Sequence, residues 1–276
     1  MFKVMQKISM VKDGQITTSI SFLCFAIALF LFSISYFPVG VAMKVGLDAS
    51  YQFAFNYFFV HHLIVGKQVY FTYGPLGFLM SPQPLGNNLL IGIIFWITLQ
   101  ILFLYFLLRL FVLANAQADL WTKALAFIAL IFLSTCESKL ISGLHEYLFF
   151  LLAVTLSLLF NIRKTNYCYL ISAVLIASVG FLIKPGIAVI ALLAIYSYGF
   201  FYLIIERKFK PFLVTLLSAL IIIPLLWLVI YHSLAGLLGF LISTGYFIIG
   251  NSSAMTINPS NQWVYFLLAM VFYVAN

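Results

Sequence analysis

Two apolar runs separated by a single lysine decide the fold of this chain: YCYLISAVLIASVGFLIKPGIAVIALLAIYSYGFFYLII, residues 167–205. Residues 167–183 and 186–205 each approach the roughly 20 apolar residues that a helix needs to cross a bilayer core. Their apolar residues run continuously and do not alternate with polar ones, so the pattern predicts helices and not the strands of a membrane barrel.

The rest of the chain has the same character. Of its 276 residues, 65% are hydrophobic and 7% are charged, whereas a soluble domain carries about 25% charged residues. So few charges cannot form a solvated surface, and backbone polar groups in lipid must be satisfied internally. We therefore expect an all-α fold, a polytopic transmembrane helical bundle. The net charge is +8, but the Lys and Arg residues form no basic cluster with interleaved aromatic residues. This argues against nucleic-acid binding.

Seven or eight spans are expected within a single transmembrane domain, residues 1–276. The apolar runs predict spans at about 17–40, 88–114, 121–136, 146–162, 167–183, 186–205 and 211–231, with a last short run at 263–275. Two mixed segments, residues 41–87 and 232–262, are predicted as extracytoplasmic loops.

The distribution of basic residues predicts the orientation. With the N-terminus in the cytoplasm, ten of the fourteen Lys and Arg residues fall on the cytoplasmic side, and four fall outside: Lys44, Lys67, Lys139 and Lys184. Membrane proteins hold Lys and Arg mainly in cytoplasmic loops. We therefore expect a multi-pass protein of the plasma (bacterial inner) membrane with a cytoplasmic N-terminus.

The first mixed segment divides into two parts. On a helical wheel, residues 49–65 place Gln52, Asn56 and His62 on one side and aromatic and aliphatic residues on the other. This pattern predicts an interfacial helix with its aromatic side in lipid and its polar side in water. Residues 66–86 are rich in glycine and proline, which predicts a non-helical loop.

The order of first span, acid, aromatic helix and Gly-Pro turn resembles the first outer loop of the GT-C superfamily of glycosyltransferases, which includes protein mannosyltransferases and aminoarabinose transferases. Asp48, Tyr51, Gly66 and YGPLGFL at 73–79 carry the resemblance. Similar residues stand at Lys184-Pro185-Gly186, between two spans, and at Glu146, where the fourth span opens. The resemblance extends from the start of the chain to about position 200.

This resemblance implies an enzyme that moves a sugar from a polyprenyl-phosphate-linked donor to a glycan, lipid or protein acceptor at the outer membrane face, among membrane lipids. It implies that Asp48 is the general base and that Lys184 offsets the charge of the leaving phosphate. Other residues expected to contact donor or substrate are Lys67, His61, Glu146, Tyr51 and Tyr73. No particular cofactor is implied, and a divalent metal ion shared by Glu146 or Glu137 is left open.

Other interpretations stay open. Asp48 also suits the N-cap of the following helix, and Lys184 suits a lysine that snorkels from a span end to the interface. The alternative functions are a transporter or flippase of lipid-linked intermediates, and a non-catalytic, truncated envelope-assembly protein. We expect truncation because the run at 263–275 is short for a span. A transporter would place ionisable residues at mid-membrane, whereas those of this chain lie mostly at span ends.

Overall fold

The computed structural model describes residues 47–114, 145–163 and 166–255, with side chains at 50–113, 148–163 and 166–248. Within these ranges the chain forms seven α-helices and no strands, so the all-α expectation is confirmed there. The helices are α1 (Leu47–Val60), α2 (Asn88–Ala114), α3 (His145–Ile162), α4 (Cys168–Ile183), α5 (Pro185–Ile205), α6 (Phe209–Tyr231) and α7 (Leu237–Met255), with a 3₁₀ turn at Gly77–Met80.

Helices α2 to α6 begin and end within two residues of five predicted spans. Three helical segments of the described chain are long and apolar enough to cross a membrane: Asn88–Leu113, Pro185–Ile205 and Phe209–Tyr231. The apolar parts of α3 and α4, Leu148–Ile162 and Cys168–Ile183, are shorter. The predicted spans at 17–40 and 121–136 and the run at 263–275 lie outside the described residues.

Helix α4 packs against α3, α5 and α6. Most of its residues are buried, including Ala173, Ala177 and Gly180. Small residues allow helices to approach closely, which compensates for the weak hydrophobic drive between helices in an apolar solvent. Large apolar side chains such as Ile94, Ile204 and Leu220 are instead exposed on α2, α5 and α6, the arrangement expected of surfaces that face lipid.

Short connections make α4, α5 and α6 antiparallel neighbours, so the packed helices have two distinct ends. Lys184 alone separates α4 from α5, and residues 206–208 connect α5 to α6. We call the end formed by residues 61–87, Lys184 and residues 232–248 the loop end. The opposite one is the basic end, where Arg109, Arg163, Arg207, Lys208 and Lys210 lie.

Helix α1 differs from the expected interfacial helix in length and in the face it buries. It ends at Val60 and not at residue 65, and His62 follows with a positive φ of 51°. Asn56, expected to face water, is fully buried, whereas Tyr57 of the aromatic side is exposed. The inward face also holds Phe55 and Phe59, which a wheel places beside Asn56. The predicted orientation was therefore wrong for Asn56, because loop residues cover it, whereas His62 is exposed as predicted.

Helix α7 runs across the loop end, inside a segment predicted as a mixed loop. The ring of Phe240 packs on Phe181 and Trp227, near the loop-end termini of α4 and α6. Residues 240 to 248 advance a helix by about 12 Å, yet Ile248 still lies in a cavity lined by Lys184. If α7 ran alongside α6, Ile248 would lie near the middle of the bundle. We therefore infer that α7 crosses the loop end.

Candidate functional site

The Gly-Pro turn of the first loop binds the end of α4 through its backbone. The N–H of Gly74 donates to the carbonyl of Ile183 (3.1 Å), and the N–H of Leu76 donates to that of Leu182 (2.9 Å). These carbonyls belong to the last turn of a helix, where they have no intrahelical partner. A Cβ at position 74 would lie 2.2 Å from the Leu182 carbonyl oxygen, so only glycine fits without a shift of backbone.

The buried side chain of Asn56 fixes the other half of the loop. Its Nδ2 donates to the carbonyls of Gln52 and Ser81, both at 2.9 Å. Its Oδ1 accepts from the Gln83 N–H (3.0 Å) and from Asn88 Nδ2 (3.1 Å). One amide therefore joins α1, the loop and the start of α2, and all its hydrogen-bonding groups are used, as burial requires.

A second contact ties the start of the loop to the α6–α7 connection. The Tyr231 hydroxyl accepts from the Val65 N–H (3.2 Å) and donates to the Leu63 carbonyl (3.1 Å). Beside it, a Cβ on Gly239 would lie 2.0 Å from the Gly66 carbonyl oxygen. Two segments that are distant in sequence thus touch backbone to backbone, and α7 is held against the first loop.

A cavity of about 440 Å³ opens where these elements meet. This volume lies within the range of about 300–1,000 Å³ typical of small-molecule sites. The loop, the α4–α5 junction and α7 each contribute to its wall. The lining residues are Thr72, Tyr73, Lys184, Pro185, Gly186, Thr244, Phe247 and Ile248.

Lys184 supplies the positive charge of this cavity. It ends α4 and precedes α5 in an extended conformation (φ −137°, ψ 94°), with Pro185 at the first helical position. Its Nζ lies 5.5 Å from the ring centroid of Tyr73, a cation–π contact worth roughly 0.5–2 kcal/mol depending on desolvation. The contact orients a flexible side chain at the cavity wall, where it can meet an anion.

An aromatic cluster supports Tyr73 from behind. The ring of Tyr51 on α1 lies 6.3 Å from that of Tyr73, and Phe55 lies 4.5 Å from it. Phe71 contacts both Tyr51 and Phe55. Three residues expected at the site are therefore brought together: Tyr73 and Lys184 at the cavity, and Tyr51 one layer behind them.

Asp48 and Glu146 lie on helices near this cavity, although their side chains are outside the described residues. Asp48 is the second residue of α1, three residues before Tyr51. Because Leu47 is already helical, Asp48 is not the N-cap suggested by the sequence. Glu146 is the second residue of α3, three residues before Phe149. Phe149 packs on Gly180 and lines a second cavity of about 10 Å³ that Lys184 also lines.

Lys67 and His61 are not among the residues that line either cavity. Lys67 is exposed on the turn that packs against Gly236. His61 is exposed just beyond α1, with its ring 4.1 Å from that of Tyr57. Within the described residues, no three His, Cys, Asp or Glu side chains form a group suited to a metal ion.

The contribution of α7 to the cavity was not predicted from the sequence. The segment predicted as a loop includes Thr244, Phe247 and Ile248, and its sequence matches no motif. The available signal was Ser243-Thr244-Gly245, a polar interruption inside the apolar run LLGFLISTGYFII of residues 237–249. Polar residues within apolar helices are costly in lipid and are often functional.

Comparison of the chain with protein-family models, with curated proteins and with solved structures found no match.

Proposed function

We propose that this protein is a multi-pass membrane glycosyltransferase that moves a sugar from a polyprenyl-phosphate donor to an acceptor at the loop end. One observation carries the proposal. The YGPLG turn of residues 73–77 hydrogen-bonds to Leu182 and Ile183, directly before the Lys184-Pro185-Gly186 junction, and Tyr73 of the turn lines one cavity with that junction. These are two of the three stretches on which the resemblance to GT-C enzymes depends.

The charges at the two ends support an outward-facing loop end. In the described part of the chain, Arg109, Arg163, Arg207, Lys208 and Lys210 lie at the basic end, and Lys67 and Lys184 lie at the loop end. The positive-inside rule then assigns the basic end to the cytoplasm. The cavity would lie at the outer headgroup level of the plasma membrane, at the depth of a lipid-linked phosphate.

The proposed reaction is a direct displacement at the anomeric carbon of the donor sugar. Asp48 takes the proton of the acceptor hydroxyl, whose oxygen forms the new glycosidic bond. The bond from that carbon to the phosphate oxygen breaks, and the polyprenyl phosphate leaves with its electron pair. Lys184 offsets the negative charge that develops on this leaving group. The acceptor is a glycan, a lipid or a protein.

The test of Lys184 is sugar transfer by the purified full chain from a polyprenyl-phosphate sugar. Lys184→Gln removes the charge at the cavity, and we expect transfer to fall at least tenfold. Lys210→Gln is the matched control, because it removes a lysine from the basic end and should leave the rate within twofold. A loss in Lys67→Gln larger than that in Lys184→Gln would move the phosphate away from the cavity and overturn the assignment.

Asp48→Asn tests the general base in the same assay. The amide cannot accept the acceptor proton, so we expect transfer to fall by about 10²–10⁴-fold, the usual contribution of general acid–base catalysis. Binding of the donor should be retained, since the substitution leaves the cavity lining intact. A variant with wild-type turnover would remove Asp48 from the mechanism.

The same preparations distinguish the alternative of a transporter or flippase. In the described helices, the charged residues lie in connections or within two turns of a helix end and not at mid-helix, which favours a site at one face over a path through the bundle. Movement of the labelled donor across proteoliposomes without any sugar transfer would favour the transporter.

A further inference from the structure

Thr244 carries a buried hydroxyl group that is left without a hydrogen bond. The residue is 6% exposed, and its Oγ1 has no hydrogen-bond partner among the described residues. Buried polar groups are almost always paired, and each exception calls for a reason. A hydroxyl that binds a ligand is one such reason.

The usual partner of a helical hydroxyl is a carbonyl three or four residues earlier. Thr98, Thr155, Ser157, Thr215 and Ser243 all make this bond, at 2.7–3.0 Å. Thr244 does not, although it follows directly after Ser243. Among the buried hydroxyls of the described helices, Thr244 is therefore an exception, and Ser178 on α4 is the other such case.

The position of Thr244 gives its hydroxyl a role. Thr244 lines the same 440 Å³ cavity as Lys184 and Tyr73, and rotation of its side chain, whose Oγ1 is covered in the structure, turns the hydroxyl toward a ligand there. A hydroxyl donates one hydrogen bond, and a phosphate oxygen is a strong acceptor that is also drawn to the lysine. We infer that Thr244 is a specificity-determining residue that donates a hydrogen bond to a phosphate oxygen of the ligand held by Lys184. This inference rests on the proposed function and adds α7 to the phosphate site.

Two substitutions separate the hydroxyl from the shape of the residue. Thr244→Val keeps the volume and removes the donor, whereas Thr244→Ser keeps the donor. The probe is farnesyl phosphate, titrated calorimetrically into the full chain in detergent, with farnesol as the uncharged comparison. We expect Thr244→Val to weaken farnesyl phosphate binding by roughly tenfold, as loss of a charge-assisted hydrogen bond does. Thr244→Ser should stay within twofold of wild type, and farnesol binding should be unchanged.

A second measurement is the thermal stability of the ligand-free protein, which Thr244→Val should not lower although it weakens binding. Removing an unpaired buried hydroxyl relieves its desolvation cost, so the Tm of Thr244→Val should equal or exceed that of wild type. Ser178→Ala is the matched control, because it removes the other unpaired hydroxyl and does not line the cavity. It should raise or preserve Tm with no effect on binding.

The outcomes distinguish this inference from the proposed function. If Lys184→Gln weakens farnesyl phosphate binding and Thr244→Val does not, the role of Thr244 is overturned and the proposed function stands. Equal loss of farnesyl phosphate and farnesol binding in Thr244→Val would overturn the contact with phosphate. If wild type does not bind farnesyl phosphate at all, both the inference and the proposed function fail.

Discussion

The two ends of the helix packing are built by different means. At the loop end, segments distant in sequence meet through backbone hydrogen bonds and glycine contacts, as at Gly74 and Gly239. At the basic end the contacts are made by side chains, such as Lys210 over the ring of Tyr167 and Glu206 paired with Lys208. Close backbone contacts of this kind fix the shape of the loop end, so the residues that make them tolerate few substitutions. Exposed charged residues tolerate substitution. A shaped cavity belongs at the end whose geometry is fixed.

Gly74→Ala should have the largest effect on the geometry of the loop end. Its Cβ would meet the Leu182 carbonyl at 2.2 Å, so the turn must leave α4 and the cavity must lose a wall. We expect sugar transfer and farnesyl phosphate affinity to fall at least tenfold, with a lower Tm. Gly245→Ala is the control, because a Cβ there meets nothing within 4 Å. Wild-type affinity in Gly74→Ala would show that the docked turn is dispensable.

Asn56→Ala should have the next largest effect. It leaves the Gln83 N–H without an acceptor inside the protein, and leaves the Asn88 side chain only the backbone carbonyl of residue 56. We expect a loss of about 3 kcal/mol in unfolding free energy, measured by denaturant unfolding in mixed micelles. Ser197→Ala, at an exposed position on α5, should change stability by less than about 0.5 kcal/mol. Equal losses in the two variants would contradict the buried network.

Tyr231→Phe tests the link between the loop and the end of α6. The substitution removes the hydroxyl that joins Leu63 and Val65, so we expect a loss of about 1–2 kcal/mol. Proteolysis should accelerate between residues 61 and 70 as the turn is released. Tyr246→Phe, at an exposed position on α7, should leave both stability and cleavage unchanged.

Lys210→Met at the basic end should have the smallest effect. The lysine lies 4.8 Å from the Tyr167 ring centroid, and an exposed cation–π contact contributes about 0.5–1 kcal/mol. We expect a Tm shift of a few degrees at most and unchanged farnesyl phosphate affinity. A loss of affinity as large as that of Gly74→Ala would contradict the division of the molecule into two ends.

The helices were predictable from sequence because length and apolar composition determine them. The extents of α2 to α6 follow from where the apolar runs stop, since charged residues such as Arg163 and Lys184 mark their ends. The Gly- and Pro-rich loop was also expected to be largely non-helical, and it contains a single 3₁₀ turn.

The inward face of α1 and the role of α7 were not predictable in this way. A wheel treats Asn56 as a water-facing residue, but Gln83 and Asn88, which lie well beyond the end of α1 in sequence, supply its partners. Likewise, nothing local to Thr244 indicates that α7 crosses the loop end, because its course depends on contacts of Gly66 and Phe240. Such tertiary partners are invisible to periodicity, which records only what a helix places on each side.

The docking of Gly74 on α4 also sets an order of events during synthesis. The carbonyls of Leu182 and Ile183 do not exist until α2, α3 and most of α4 have been added to the chain after the turn. At roughly 5–20 residues per second, the turn waits on the order of ten seconds for its partner. The contact of Gly66 with Gly239 comes later still. The cavity therefore closes last, after the helices that surround it have emerged from the ribosome.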